Sequence, residues 1–259
     1  MGAPDRGETV GVDTASAAHE HRVAGDWRGL ASARLRQADA ALATGDGTSA
    51  EEHLRVALSY YIMIGDGYSV ARTLTSLADV LFAASDYMGA AELNRQAADR
   101  LPGDTKALTG LGYAEWRAGS PADAEVTFSQ ALRWDSDTTA ALAGRGQIRA
   151  DLGNYAAALD DLDRALASAL DQDAEADARS ARALALAGLG REEEAQAELT
   201  ASFRLDPDRP RSRLRAGRIA VLSGHRDEAR AEIERALKGS PALSEAEKDS
   251  ASRLLARVR

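Results

Sequence analysis

The residues of this chain that could do chemistry are its histidines, one run of carboxylates, and a set of aromatic and guanidinium groups. Their spacing points to binding rather than to catalysis. His19 and His21 stand together near the start, neither with an acidic residue placed to orient it as a general base, and His53 and His225 stand elsewhere in the chain. Asp160, Asp161 and Asp163 fall on a helical pattern that sends them to different sides, so they do not converge on a cation. There is no cysteine, which excludes disulfides and thiolate metal sites. No HExxH, no glycine-rich phosphate loop and no Ser/His/Asp order occurs, and Gly65-Asp66-Gly67 is too short to be a phosphate or cation loop. The sequence assigns no catalytic residue, no metal and no cofactor, and it reads as a non-enzyme.

The binding chemistry is better placed. Tyr113, Trp116 and Arg117 lie within about one helical turn. Buried aromatics and arginines dominate interface energies, so this trio reads either as a hot spot or as Trp116 packing sideways on a neighbouring helix. Arg204, Arg209, Arg211, Arg213, Arg215 and Arg218 form a basic cluster. It reads either as a clamp for an acidic peptide or phosphate, or as a face balanced by Asp160, Asp161, Asp163, Asp171, Asp173, Glu175 and Asp177. A net charge of -9 argues against nucleic acid, whose phosphates require a basic surface. No apolar run is long enough to cross a bilayer, Val80-Leu81-Phe82-Ala83-Ala84 being typical, and the first residues lack a secretory pattern. The expectation is a cytoplasmic protein with no nucleic-acid or membrane partner; nothing in the sequence sets its oligomeric state.

The elements that hold these groups repeat. Residues 1–12 contain Gly2, Pro4, Gly7 and Gly11 without helical period and read as a flexible arm. Residues 13–30 read as a helical lead-in, with Asp26 capping a helix that carries Trp27 over the open end of the first repeat. Six copies of a helix-turn-helix unit follow, at 31–64, 71–104, 105–138, 139–172, 176–209 and 210–243. One column of small residues holds Ala38, Ala78, Gly112, Gly146, Ala183 and Gly217. A second holds Ala50, Ala90, Ala124, Ala158, Ala195 and Ala229, and a third holds Ala57, Ala97, Ala131, Ala165, Ser202 and Ala236. Small side chains at fixed places let helix backbones approach, and larger ones would clash. The turn column is Gly45, Ser85, Gly119, Gly153, Gly190 and Gly224, with glycine favouring the left-handed residue that ends a helix. Asp46, Asp86, Ser120 and Asn154 follow as expected N-caps, whereas Arg191 and His225 break the rule. Two spacers are expected to lengthen connections, one around Gly65-Asp66-Gly67 and one at Asp173-Ala174-Glu175. Ser244 and Glu247 form a capping box that opens a closing helix over 244–259. Arg145, Arg149, Arg179 and Arg182 replace residues that are apolar elsewhere. Their stems are expected to pack with the heads turned to solvent, with a Glu115–Arg149 contact. Trp134 is expected to pack beneath the next repeat.

The stretch Lys106–Thr138 carries Leu111-Gly112, then Ala124 and Phe128, at the spacing of the tetratricopeptide signature, whose period is about 34 residues. Leu108 stands where the signature has Trp, and Glu115 where it has Tyr. Over roughly residues 31–259 the chain resembles a tetratricopeptide repeat protein, and its Ala and Arg richness resembles a high-GC bacterial genome. The resemblance implies an all-α right-handed superhelical solenoid of about six repeats with a C-terminal capping helix. It also implies a concave groove, lined by the first helix of each repeat, that binds a peptide or helix of another protein. Carried over by position, the groove residues are Asp79 and Phe82; Tyr113, Trp116 and Arg117; Gln147 and Asp151; and Arg211, Arg215 and Arg218. Asp177 and Ser180 fill the same places in the fifth repeat. The groove is then expected to be acidic in the middle and basic toward its C-terminal end. The implied function is a protein-binding scaffold or adaptor. The alternative is an effector-sensing regulator that changes curvature, with its hinge near Gly65.

Overall fold

Every regular element of the computed structural model is an α-helix among the described residues, 26–240 and 242–258. The arm expected over 1–12 and most of the lead-in expected over 13–30 lie outside the described residues. The chain divides into two compact units, one up to Gly110 and one from Leu111.

Aspartate sets the rhythm of the first unit. Its helices are α1 (Trp27–Ala43), α2 (Gly47–Met63), α3 (Gly67–Ala83) and α4 (Tyr87–Arg100), followed by the start of α5 (Thr105–Arg117). Asp26, Asp46, Asp66 and Asp86 are their N-caps. The carboxylates accept from the backbone N–H of Gly29 at 2.8 Å, Ser49 at 3.0 Å, Ser69 at 3.1 Å and Gly89 at 2.9 Å. Each bond satisfies a donor that the first helical turn leaves orphaned. The hydroxyl of Ser49 holds the Asp46 carboxyl below its ordinary value, and the backbone N–H of Ser69 does the same for Asp66. Before three of these caps the chain turns through a left-handed residue, at Gly45, Gly65 and Ser85. Ser85, with φ 65°, is the non-glycine residue in that region among the described residues.

The spacer expected around Gly65 is not an open linker. Asp66 is a cap like its neighbours, Gly67 is the first residue of α3, and the added residues lengthen α2 and α3 to 17 residues each. Helix extension wins because each added residue gains a backbone hydrogen bond, whereas a loop would leave those groups to solvent. Leu54, Ala57 and Tyr61 of α2 pack with Val70, Ala71, Leu74 and Leu77 of α3 in the core of this unit. Trp27 stays 37% exposed and rests on Tyr60 at 5.7 Å between ring centroids.

The second unit continues with α6 (Pro121–Trp134), α7 (Thr139–Leu152), α8 (Tyr155–Leu166), α9 (Gln172–Gly188), α10 (Glu192–Leu205), α11 (Pro210–Leu222), α12 (Arg226–Lys238) and α13 (Glu245–Arg257). Consecutive helices pair as hairpins, and α7, α9 and α11 also pack side by side. The small-residue columns are the contact surfaces: Ala124, Ala158, Ala195 and Ala229 are at most 2% exposed. Phe128 shows why glycine is needed opposite it. A Cβ built on Gly112 would stand 2.8 Å from the Phe128 ring, and one built on Gly144 would stand 2.4 Å from it. Ser202 fits an alanine column because its hydroxyl is satisfied, donating to the Ala176 carbonyl at 2.8 Å and accepting from the Ser212 hydroxyl at 2.9 Å.

Several expectations for this unit are corrected. Asp173-Ala174-Glu175 is the first turn of α9, capped by Asp171, and not a spacer. Ser120 and Asn154 sit at cap positions but make no side-chain cap bond. Trp134 is 63% exposed rather than packed beneath a neighbour. The arginine heads expected in solvent turn onto carboxylates instead. Arg145 grips Asp161 with Nε at 2.8 Å and Nη2 at 2.7 Å, and Arg149 adds a bond to Asp161 at 2.9 Å and one to Glu125 at 2.7 Å. Arg179 and Arg182 share Glu198 at 3.1 and 3.0 Å. Glu115 accepts from the Thr127 hydroxyl at 2.7 Å. The heads turn inward because each helix pair sets an acid opposite the arginine, and a planar guanidinium matches a carboxylate with two parallel bonds.

Candidate binding site

Arg211, Arg215 and Arg218 lie on one face of α11, spaced by four and three residues. Gln147 and Asp151 share a face of α7 in the same way, and Asp177 and Ser180 share one of α9. Side-by-side packing of α7, α9 and α11 brings the three faces together.

Arg215 is the centre. It is 2% exposed, and its five N–H donors all find acceptors: Nε reaches Asp151 at 3.2 Å, and Nη1 reaches the Asp177 carbonyl at 2.8 Å and the Ser180 hydroxyl at 3.1 Å. Nη2 reaches the Gln147 side-chain carbonyl at 3.3 Å and the Asp151 carboxylate at 3.0 Å. Burial alone would push the guanidinium pKa down, but the Asp151, Asp177 and Glu247 carboxylates outweigh it and raise the pKa, so the charge stays. Arg215 therefore joins three helices and offers no free donor to a ligand. Arg218 also bonds Asp151, at 2.9 Å to the carboxylate and again to the main-chain carbonyl. Asp177 is claimed twice more, by Arg209 at 2.7 and 2.9 Å and by Arg211 at 3.2 Å.

The groove expected to be acidic in the middle and basic at one end is thus paired within itself. Arg209, Arg211, Arg215 and Arg218 all balance acids, and Arg211 and Arg218 also edge a cavity. That cavity, of about 310 Å³, is bounded by Trp116, Pro121, Ile148, Leu152 and Leu214 on its apolar side. Arg211, Arg218 and Asp151 edge it from α7 and α11, and Glu247, Ser250 and Arg253 from α13.

Trp116 is 8% exposed, with the Arg211 guanidinium 4.9 Å above its ring. Tyr113 lies 6.3 Å from Trp116 between centroids and packs edge-on against Phe128 at 5.0 Å. Its hydroxyl donates to the Ala140 carbonyl at 3.0 Å, and burial, with the Asp177 and Asp171 carboxylates adding to it, pushes the phenol pKa up. Tyr113 thus packs on Phe128 while staying partly exposed. Arg117 reaches Glu247 at 3.5 Å. Asp79 and Phe82 belong to the first unit, where Asp79 pairs with Lys106 at 3.0 Å and Phe82 packs edge-on against Tyr87 at 5.1 Å.

Glu247 is the residue that sequence reasoning missed. It was legible as the cap of α13, and it is one: its carboxylate accepts from the Ser244 N–H at 2.8 Å. The same carboxylate accepts from Arg211 Nε at 2.7 Å. Only the path of the chain after Leu243 could reveal the second role. Among the described residues no group of acids and histidines is arranged to hold a metal, and no helix is long and apolar enough to cross a membrane.

A tetratricopeptide repeat model matches residues 35–105, 75–141, 109–175 and 180–244. No curated protein matches the sequence. Among solved structures, a tetratricopeptide repeat protein from Parabacteroides merdae is 16% identical, over 88% of this chain and 98% of that one, at a TM-score of 0.57. YrrB, described as a TPR protein with an unusual peptide-binding site, is 20% identical over 74% of this chain and 97% of its own, at 0.50. The Cut9-Hcn1 heterotetramer of the APC/C matches 96% of this chain and 45% of that one, at 14% identity and a TM-score of 0.66. At these identities the likeness shows the fold alone. The repeat model covers most of the length, and the chain belongs to the tetratricopeptide repeat family, a protein-interaction fold.

Proposed function

We propose that the second unit binds a peptide or helix of another protein in the cavity beside Trp116, and that the protein is a non-enzymatic adaptor working in the cytoplasm. The observation that supports this reading is the pairing of an apolar wall, Ile148, Leu152 and Leu214, with guanidinium groups at its edge. Apolar anchors supply association energy and charges at the rim set orientation. A protein partner is favoured over nucleic acid, because the arginines around the cavity are matched by Asp151, Asp177 and Glu247 and the net charge is -9. The sensing alternative draws its support from α13 rather than from residues 65–67, which form an ordinary capped turn.

The test uses Leu152, which is 51% exposed and lines the cavity. A photoreactive benzoylphenylalanine placed at position 152 of the full chain should crosslink one protein from native extract. In an affinity pull-down of that protein from the same extract, without the crosslinker, Leu152→Asp with Arg253→Glu should abolish its capture while leaving helicity unchanged. Undiminished capture by that double variant would move the binding surface elsewhere.

A further inference from the structure

The start of α13 is attached to the second unit by different chemistry from its end. Its end is apolar: Ala251 and Val258 are buried with Leu254 and Leu255 against the α11–α12 hairpin, and Arg230 donates to the Val258 carbonyl at 3.1 Å. Its start is polar. Glu247 meets Arg211 at 2.7 Å and Arg117 at 3.5 Å. Beside it, Ala246 meets Gly119, where a built Cβ would stand 3.1 Å from the alanine methyl. So a carboxylate at the first turn of a helix, with a small residue before it, is seated on two arginines next to an indole. A second anion is also within reach of Arg211, since Asp177 lies at 3.2 Å. Arg211 therefore keeps an ion pair if Glu247 withdraws. Arg253, exposed at the cavity edge on α13, has no salt bridge among the described residues.

We infer that Trp116, Arg117 and Arg211 form a receptor site for a carboxylate carried in the first turn of a partner's helix, and that Glu247 is its internal competitor. This rests on the adaptor reading above and names the ligand chemistry and the regulation of that site. The partner segment copies the start of α13, Ser244-Glu245-Ala246-Glu247: a small residue followed by an acid. Its carboxylate takes the place of Glu247 on Arg211, and its apolar side enters the cavity against Ile148 and Leu214. The apolar end of α13 keeps the helix tethered, so displacement is reversible and the tether sets a high local concentration of the competitor. A partner must outcompete that concentration, which makes the site selective for ligands that supply both the acid and the apolar contact.

The test is fluorescence anisotropy with a labelled synthetic peptide of residues 243–256 added to the full-length chain. Wild type should bind it weakly. Glu247→Ala should bind at least about tenfold tighter, because the internal carboxylate is gone. Ser244→Ala, which removes the cap hydroxyl and keeps the carboxylate, should change affinity by less than about threefold. Adding Arg211→Ala to Glu247→Ala should cancel the gain, and so should replacing the glutamate of the peptide that corresponds to Glu247 by glutamine. If Glu247→Ala lowers helicity, Glu247→Gln keeps the cap acceptor and carries the same criterion. Equal affinity of wild type and Glu247→Ala at unchanged helicity overturns the inference. So does a dimer of Glu247→Ala by light scattering, which would make a second copy of the chain the occupant. The adaptor reading is judged separately, since the crosslink at position 152 does not involve this peptide: a specific crosslink with equal peptide affinities removes the competitor and leaves the binding site.

Discussion

The two units solve the same problem, the unsatisfied polar groups of packed helices, in different ways. In the first, α1 to α4 each begin at an aspartate whose carboxylate accepts from the backbone three residues on. Its ion pairs between helices, such as Arg28–Asp66 and Lys106–Asp79, leave their cations largely exposed. In the second, six helix starts from α6 to α12, those at Ser120, Thr138, Asn154, Arg191, Arg209 and His225, make no side-chain cap bond. Polar side chains there are spent between helices, on Asp151, Asp161, Asp177 and Glu198. Local capping acts within one turn and leaves a helix face free of obligations. Buried arginine–carboxylate bonding ties specific helices in a specific register, and removing one partner strands the other. The second unit is therefore the more specified and the more vulnerable, and it is the one that carries the candidate site.

The sharpest way to break this comparison is Arg215→Leu. It leaves Asp151 and the Ser180 and Gln147 groups with lost partners, and it should destabilise the second unit by about 3–5 kcal/mol, read by urea unfolding. Hydrogen exchange should show the loss over α7, α9 and α11, with α1 to α3 unchanged; uniform loss would mean the units do not differ in this way. A smaller effect is expected where packing alone is disturbed. Ala158 is fully buried against its partner helix, so Ala158→Leu should overpack and cost about 1–3 kcal/mol. An unchanged melting temperature would refute the packing column. The smallest effect separates the two capping styles. Asp86→Ala should cost about 1 kcal/mol, because it removes a cap bond. Asn154→Ala should cost a few tenths of that, because its side chain makes none. Equal costs would erase the distinction between the units.

What was legible before the structure follows the range of the forces involved. The small-residue columns could be read because a helix–helix contact repeats at fixed positions, and Ala50, Ala90, Ala124, Ala158, Ala195 and Ala229 are all buried. The cap at Asp26 and the capping box at Ser244 and Glu247 could be read because their partners lie three residues away. The site was legible only in part. Trp116, Arg117, Gln147, Asp151, Arg211, Arg215 and Arg218 do gather in the second unit, as the repeat phase implied. The pairing of their charges was not legible: periodicity gives the face a side chain points toward, not the group waiting there.

The sequence by itself determined the helices, their pairing into repeats and the family, because these depend on hydrophobic period, small-residue contacts and turn chemistry within a few tens of residues. Only the tertiary structure decided that Arg215 is a satisfied strut joining α7, α9 and α11 and that Glu247 sits on Arg211. Those bonds link residues 64 and 36 positions apart. An electrostatic partner at that separation depends on where the stacked helices carry it, and one sequence contains no local mark of that position.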